Sequence, residues 1–200
     1  GDPLDMAGTA EPYYIRPEER AVLIAEIERR GSVENFETDL RLPDGSIRTV
    51  LITANALMTP DGARVMAGII DISDRKAVER SLEWLASTDT LTGLPNRGSF
   101  FATARTEMAR AARSGQPLAL LMADLDHFKR INDNWGHQTG DNALRAFATV
   151  CLERLRDEDA IGRLGGEEFG ILLPGCDAEA AISAADRLRV ALAEVTVSSP

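Results

Sequence analysis

The segment Pro117–Ala123, PLALLMA, holds seven residues without a polar side chain and stops on Asp124-Leu125-Asp126. A membrane span needs roughly 18 apolar residues or more, so this run is strand-sized. Because it is continuous rather than alternating, it predicts a strand buried on both faces of a layered sheet. Such a strand delivers its two acids at the sheet rim, where carboxylate oxygens can hold Mg²⁺ with phosphate completing the shell. Taken alone, the same DxD reads as a solvated turn opening a helix. A second acidic cluster shifts the balance: Gly165-Gly166-Glu167-Glu168 separates the apolar runs Ala160–Leu164 and Phe169–Leu173. The glycines permit a tight hairpin, and adjacent acids at its tip repel one another unless a cation relieves them. With the two strands as neighbours, Asp124 and Glu167 face a common point, the arrangement of metal-assisted phosphoryl transfer.

Around these clusters the pattern alternates helix and strand. Asn96–Ser114, Ala143–Arg156 and Asp177–Ala193 read as helices, which makes residues 89–200 an α/β layered domain. The first half differs. Pro17 opens a helix that Gly31 stops, and three strand-like runs follow, carried by Phe36 to Leu42, Ile47 to Leu57 and Val65 to Ile72. Pro43-Asp44-Gly45-Ser46 and Pro60-Asp61-Gly62 break them as turns, so residues 1–74 read as a small antiparallel α+β unit with one covered face. Between the halves, Ser73-Asp74 is placed to cap a helix. Val78, Leu82 and Leu85 then recur at i, i+4 and i+7, either as a face against its own domain or as a short parallel coiled coil over 75–88.

Charge and cysteine usage exclude several functions. Twenty-two basic against thirty-two acidic residues leave a net charge of −10, which repels a phosphodiester backbone but not a nucleotide that arrives with Mg²⁺. Cys151 and Cys176 lie far apart without CxxC spacing, which indicates neither a disulfide framework nor a zinc site but two half-buried thiols in a reducing cytoplasm. No run is long enough for a membrane span, and the opening GDPLDMAG lacks the basic flank and apolar core of a secretory signal.

HFKRINDNWGHQTGD, residues 127–141, lies between the acidic clusters. Lys129 is either a phosphate ligand or an ordinary exposed lysine. Asn132 and Asp141 together match a guanine edge, since a carboxylate accepts from paired N–H groups while an amide donates and accepts. Separately, each also reads as a helix cap. Arg156-Asp157-Glu158-Asp159 is either a solvated charge run, with ion pairs worth about 0–1 kcal/mol, or an Arg fork and an Asp acceptor for a guanine or phosphate.

The ordered set Asp89-x-Leu91-Thr92-Gly93-Leu94-Pro95-Asn96-Arg97, then DLDHFKRINDNWGHQTGD (124–141), then Arg163-Leu164-Gly165-Gly166-Glu167-Glu168-Phe169 resembles the GGDEF family of diguanylate cyclases over about Asp89 to Ala193. The resemblance implies a palm-like domain that condenses two GTP into cyclic di-GMP and pyrophosphate. By position, Asp124, Glu167 and the Leu125 carbonyl look like ligands of Mg²⁺, with Mn²⁺ as the alternative ion. Asn132 and Asp141 look like guanine and ribose readers; His137, Lys129, Gly165 and Gly166 fall at substrate-contacting positions. Glu167 replaces the Asp of the family name and, with Glu168 and Lys129, makes the expected catalytic set. Arg156 and Asp159 match the spacing of the family's product-inhibition site.

FETDLRLPDGSIRTVLITANALMTPDGARVMAGIIDISDRK (36–76) looks like the C-terminal portion of a PAS domain, with a Asp71-Ile72-Ser73-Asp74 exit into a signalling helix. The expectation is therefore a two-domain α/β (α+β) chain: partial PAS domain 1–74, helical linker 75–88 and GGDEF domain 89–200. The resembled family continues past Val195–Pro200 with a strand, a helix and a basic segment, so the expectation for these 200 residues alone is a truncated domain with little or no activity. A homodimer through the linker helix and the GGDEF face is expected, because each GTP must meet a second. The alternatives are a non-catalytic receptor for GTP or cyclic di-GMP, and a sensory or dimerisation module that signals through protein contacts.

Overall fold

The computed structural model describes residues 11–60 and 62–195 and divides into two compact units, Gly1–Leu82 and Glu83–Pro200. In the first unit, α1 (Pro17–Arg30) begins on proline with Glu18 and Glu19 in its first turn. It ends where Gly31 takes a left-handed φ of 78° and returns its amide to the Ile27 carbonyl. An antiparallel meander follows: β1 (Ser32–Arg41), β2 (Ile47–Thr59) and β3 (Gly62–Asp71), in the order β1-β2-β3. Leu23 and Ile27 of α1 pack on Leu40, Val50, Ile52 and Ala54, so one face is covered as the alternation demands. Asp61, part of the expected second turn, lies outside the described residues.

Helix α2 (Ser73–Ser87) starts differently from the expectation. The amide of Ser73 donates to the Asp71 carboxylate, and the Ser73 hydroxyl accepts the Thr49 amide of β2 instead of capping its own helix. The hydrogen bonds from Ser73 hold the Asp71 carboxyl below the ordinary aspartate range. Lys76 reaches Glu37 of β1 at 2.9 Å, so the first turn of α2 is tied to the sheet. No residue of α2 is buried, and Val78, Leu82 and Leu85 are each more than half exposed.

In the second unit, α3 (Arg97–Ser114) is capped by the Asn96 side chain, which accepts the Ser99 amide. It is followed by β4 (Leu118–Asp124), α4 (Phe128–Trp135), α5 (His137–Arg154), β5 (Ala160–Gly165), β6 (Glu168–Pro174) and α6 (Ala178–Ala193). Helix α5 therefore starts earlier and stops earlier than the predicted 143–156. The sheet order is β4-β6-β5 with both ladders antiparallel. Helices α5 and α6 cover one face through Leu144, Phe147, Ala184 and Leu188, while Phe100 and Ala104 of α3 cover the other. Cys151 is fully buried rather than half-buried, and burial pushes its thiol up to about 12. Among the described residues no helix is long and apolar enough to cross a membrane. The strand expected after Val195 falls on residues 196–200, outside the described residues.

The structure corrects one expectation about β4, which packs on the core through one face only and is partly buried there. Ala119, Leu121 and Ala123 pack on the core, but Leu120 and Met122 are 53% and 63% exposed. The reason is position: among the described residues β4 pairs only with β6, and α3 lies over β5 and β6 instead.

Phe100 seats itself through two glycines. Gly162 and Gly170 are directly opposed on β5 and β6 and open a slot in the sheet for its ring. A Cβ on Gly162 would stand 2.7 Å from Phe100 Cβ and 2.9 Å from the Pro95 carbonyl oxygen, and the latter is backbone that cannot swing aside. Gly162→Ala should therefore lower the stability of this unit by about 1–3 kcal/mol in urea unfolding. An unchanged midpoint would show that the ring is not confined.

Candidate functional site

The β4–β6 register carries the acidic clusters together. It pairs Leu121 with Ile171, Ala123 with Phe169 and Asp124 with Glu168. Directly opposed residues of an antiparallel ladder project to the same side, with Cβ atoms about 4.5–5.5 Å apart. Two exposed carboxylates thus share one rim. Between Gly165 and Glu168, which pair across the β5–β6 hairpin, only Gly166 and Glu167 make the turn. Gly165 and Gly166 take φ of 148° and 51°, values that a side chain would strain. Glu167 is therefore carried at the hairpin tip, next to the rim.

After Asp124 the chain turns sharply. His127 adopts a left-handed φ of 58° and hands over to α4, and the Phe128 amide donates to the Leu125 carbonyl at 3.2 Å. That carbonyl, expected as a metal ligand, keeps a second lone pair. Lys129 and Asn132 lie on α4, exposed and partly exposed respectively. Gly136, at φ 81°, breaks the two helices apart, and His137 begins α5 with Asp141 one turn further on. Asp141 is thus inside the helix rather than at its cap. Asn132 lies against α5 at Gly140, the residue before Asp141.

A cation test follows from the donor chemistry. Among the described residues no group of three or more His, Cys, Asp and Glu gathers closely enough to hold a metal unaided. Asp124 and Glu167, with the Leu125 carbonyl, are hard oxygen donors too few for a full shell. They fit an ion such as Mg²⁺ that takes part of its coordination from phosphate.

Arg156 and Asp159 are not at this rim. They sit before Ala160, so the six residues of β5 separate Asp159 from Gly165 by about 20 Å at 3.3 Å per residue. The two close a turn on themselves: the Arg156 amide donates to Asp159 Oδ2 at 2.9 Å and the Asp159 amide to the Arg156 carbonyl at 3.0 Å. Asp159 Oδ1 is shielded and has no hydrogen-bond partner among the described residues, while the Arg156 side chain is 63% exposed.

One connection was not legible in the sequence. Arg163 of β5 donates from Nη1 to both carboxylate oxygens of Asp89 at 3.1 and 3.2 Å. Its Nε and Nη2 hold the Gly166 carbonyl at 3.0 and 2.7 Å. Asp89 in turn accepts the amide and hydroxyl of Thr92. A single guanidinium therefore ties the turn after Ser87 to the acidic hairpin. Nothing local announces a pair 74 positions apart; the only signal was that both residues lie in quoted motifs.

The profile of the family described as "Diguanylate cyclase, GGDEF domain" matches residues 86–199. A mixed α/β domain with an acidic hairpin beside an acidic strand end is the class that the fold and site define. The chain belongs to that GGDEF family. Over 123 residues it is 47% identical to the diguanylate cyclase DgcP of Pseudomonas aeruginosa, covering 60% of this chain and 18% of that protein. Among solved structures it is similar to the coiled coil and GGDEF domain of DgcB from Caulobacter crescentus in complex with c-di-GMP, with TM-score 0.56 and 32% identity over 60% of this chain and 62% of that one. It is also similar to the diguanylate cyclase SiaD in complex with its activator SiaC from Pseudomonas aeruginosa, with TM-score 0.55 and 39% identity over 64% and 51%. The chain spans 14–38% of the length of three curated relatives that it matches.

The Asp89 environment yields a pH-dependent expectation. Burial raises its carboxyl, but the hydrogen bonds from Thr92 and Arg163 together outweigh burial and hold it below the ordinary 3.8. A lowered folded value contributes stability above pH 3.8 that is lost as pH falls through that value. Asp89→Asn should therefore unfold at lower urea than the wild type at pH 7, and the difference should close in acid below about pH 3.8. A gap that persists unchanged in acid would assign the effect to packing.

Proposed function

We propose that this protein is a diguanylate cyclase that condenses two GTP molecules to cyclic di-GMP, releasing two pyrophosphates. The observation that carries the reading is the register that opposes Asp124 and Glu168 and puts Glu167 beside them at a glycine-formed tip. Like charges held this close at an exposed rim are relieved by a cation and its phosphate ligands. Asp124, Glu167 and the Leu125 carbonyl would hold Mg²⁺, or Mn²⁺ in its place. Such an ion, when bound, would supply charge neutralisation at the reacting phosphate and would acidify the attacking hydroxyl.

The chain's own groups do the rest. Glu167 is positioned to take the proton from the 3′-hydroxyl as that oxygen attacks the α-phosphorus of the second GTP, and pyrophosphate leaves. Glu168 keeps the rim anionic, and Lys129 neutralises triphosphate oxygens, with His137 near them. Asn132 and Asp141 select guanine over adenine, because only guanine offers paired N–H donors to a carboxylate. Gly165 and Gly166 allow substrate to approach the backbone.

Two GTP molecules on separate protomers have to meet, so the reading includes a homodimer. The exposed stripe Val78, Leu82 and Leu85 on an α2 without buried residues supports pairing through that helix. The first unit is proposed as the C-terminal part of a PAS domain that regulates the second, in the cytoplasm where GTP is available. Arg156 and Asp159 are proposed to bind cyclic di-GMP and suppress turnover. The exposed guanidinium supports that assignment, as does a relative solved with c-di-GMP.

Incubation with GTP and Mg²⁺ followed by chromatography should yield cyclic di-GMP. Asp124→Ala and Glu167→Ala should abolish it with the melting temperature kept, since Asp124 is exposed, Glu167 is half-exposed and neither belongs to the core. Wild-type turnover in either variant removes that residue from the mechanism. Calorimetry on Arg156→Ala should show loss of cyclic di-GMP binding with initial turnover kept or raised. Unchanged affinity would leave the turn as a solvated charge run.

A further inference from the structure

Gly140 is a glycine inside a helix, without a positive φ, where alanine would ordinarily be favoured. Its backbone does not explain it, so the explanation is space. A Cβ built at Gly140 would collide with Asn132 Oδ1 and stand 3.0 Å from Asn132 Cγ and 3.2 Å from Phe128 Cζ. The Asn132 side chain occupies the volume that any other residue at 140 would fill. The turn between the helices brings this about: the Gly136 amide donates to the Asn132 carbonyl at 2.9 Å, and the buried Thr139 hydroxyl donates to the Trp135 carbonyl at 2.8 Å. These bonds fold α5 back so closely that its first turn lies under Asn132.

We propose that Gly140 is a specificity-positioning residue: its missing side chain forms the slot that holds the Asn132 amide beside Asp141 for recognition of a guanine edge. The inference rests on the reading of Asn132 as a purine reader and goes beyond it, since Gly140 offers no group to the nucleotide. Asp141 follows Gly140 directly, so the slot also sets the spacing between amide and carboxylate. With a methyl group at 140, Asn132 has to rotate out of the slot or displace Phe128, whose ring is partly buried against the core.

The test compares Gly140→Ala, Asn132→Ala and the double variant, using non-hydrolysable analogues of GTP and ATP with Mg²⁺ in calorimetry, and thermal melting of each protein. Gly140→Ala should weaken the GTP analogue by about tenfold or more and erase its preference over the ATP analogue. Its lowered melting point should recover in the double variant, because the methyl then has space, whereas guanine preference should not recover. A Gly140→Ala protein with wild-type preference overturns the inference. Asn132→Ala with undiminished preference overturns the purine-reader reading and the inference with it. A melting point that fails to recover while preference is kept assigns Gly140 to packing alone.

Discussion

The candidate site depends on one ladder, β4 against β6. In that ladder Leu121 meets Ile171 and Ala123 meets Phe169 on the face covered by α5 and α6, directly beside the acids. On β6 the buried face is fixed by Phe169, Ile171 and Leu173, while β4 is apolar on both faces and pairs to that face. Asp124 and Glu168 come last in the ladder and inherit its register. Their opposition is electrostatically unfavourable by itself, and the core packing holds it in place. The rim is therefore shaped by the fold, before anything binds to it.

The hairpin that bears Glu167 is braced from below. Its glycines give the turn its shape, and Arg163 prevents it from drifting by holding the Gly166 carbonyl with two donors. Because the same guanidinium grips Asp89, the hairpin and the turn that follows α2 share one anchor. Asn96 adds to that turn: its side-chain amide donates to the Ala86 carbonyl and its backbone amide to the Ser87 carbonyl. A change at the end of α2 therefore has a short, hydrogen-bonded route to the acidic tip.

At the other end of α2, ties of the same kind lead into the first unit. Asp71 and Ser73 fasten the helix start to β2 through Thr49, and Lys76 bonds Glu37. Helix α2 is thus gripped at both ends while its middle carries an exposed apolar stripe. That stripe is the surface through which the proposed homodimer would pair.

Much of this was legible in the residues. The apolar run before Asp124, the Gly-Gly break between two strands, Pro17 and Gly31 bounding α1, and the turn glycines Gly45 and Gly62 each follow from local rules of φ, capping and alternation. The motif order named the family, because three long patterns in sequence leave little room for coincidence. What the sequence could not decide was anything that depends on which surfaces meet. Continuity of apolar residues predicted a strand buried on both sides, yet among the described residues β4 pairs only with β6 and leaves Leu120 and Met122 exposed. Ser73 looked like a cap, but a backbone amide from β2 claimed its hydroxyl. The Asp89–Arg163 link and the contact between Gly140 and Asn132 arise only when distant segments approach. By itself the sequence determined the elements and the chemistry available, because backbone preference and hydrophobic period are local properties. Tertiary structure alone decided which groups share a rim, a slot or an anchor, because strand register and helix packing are settled by burial across the whole fold.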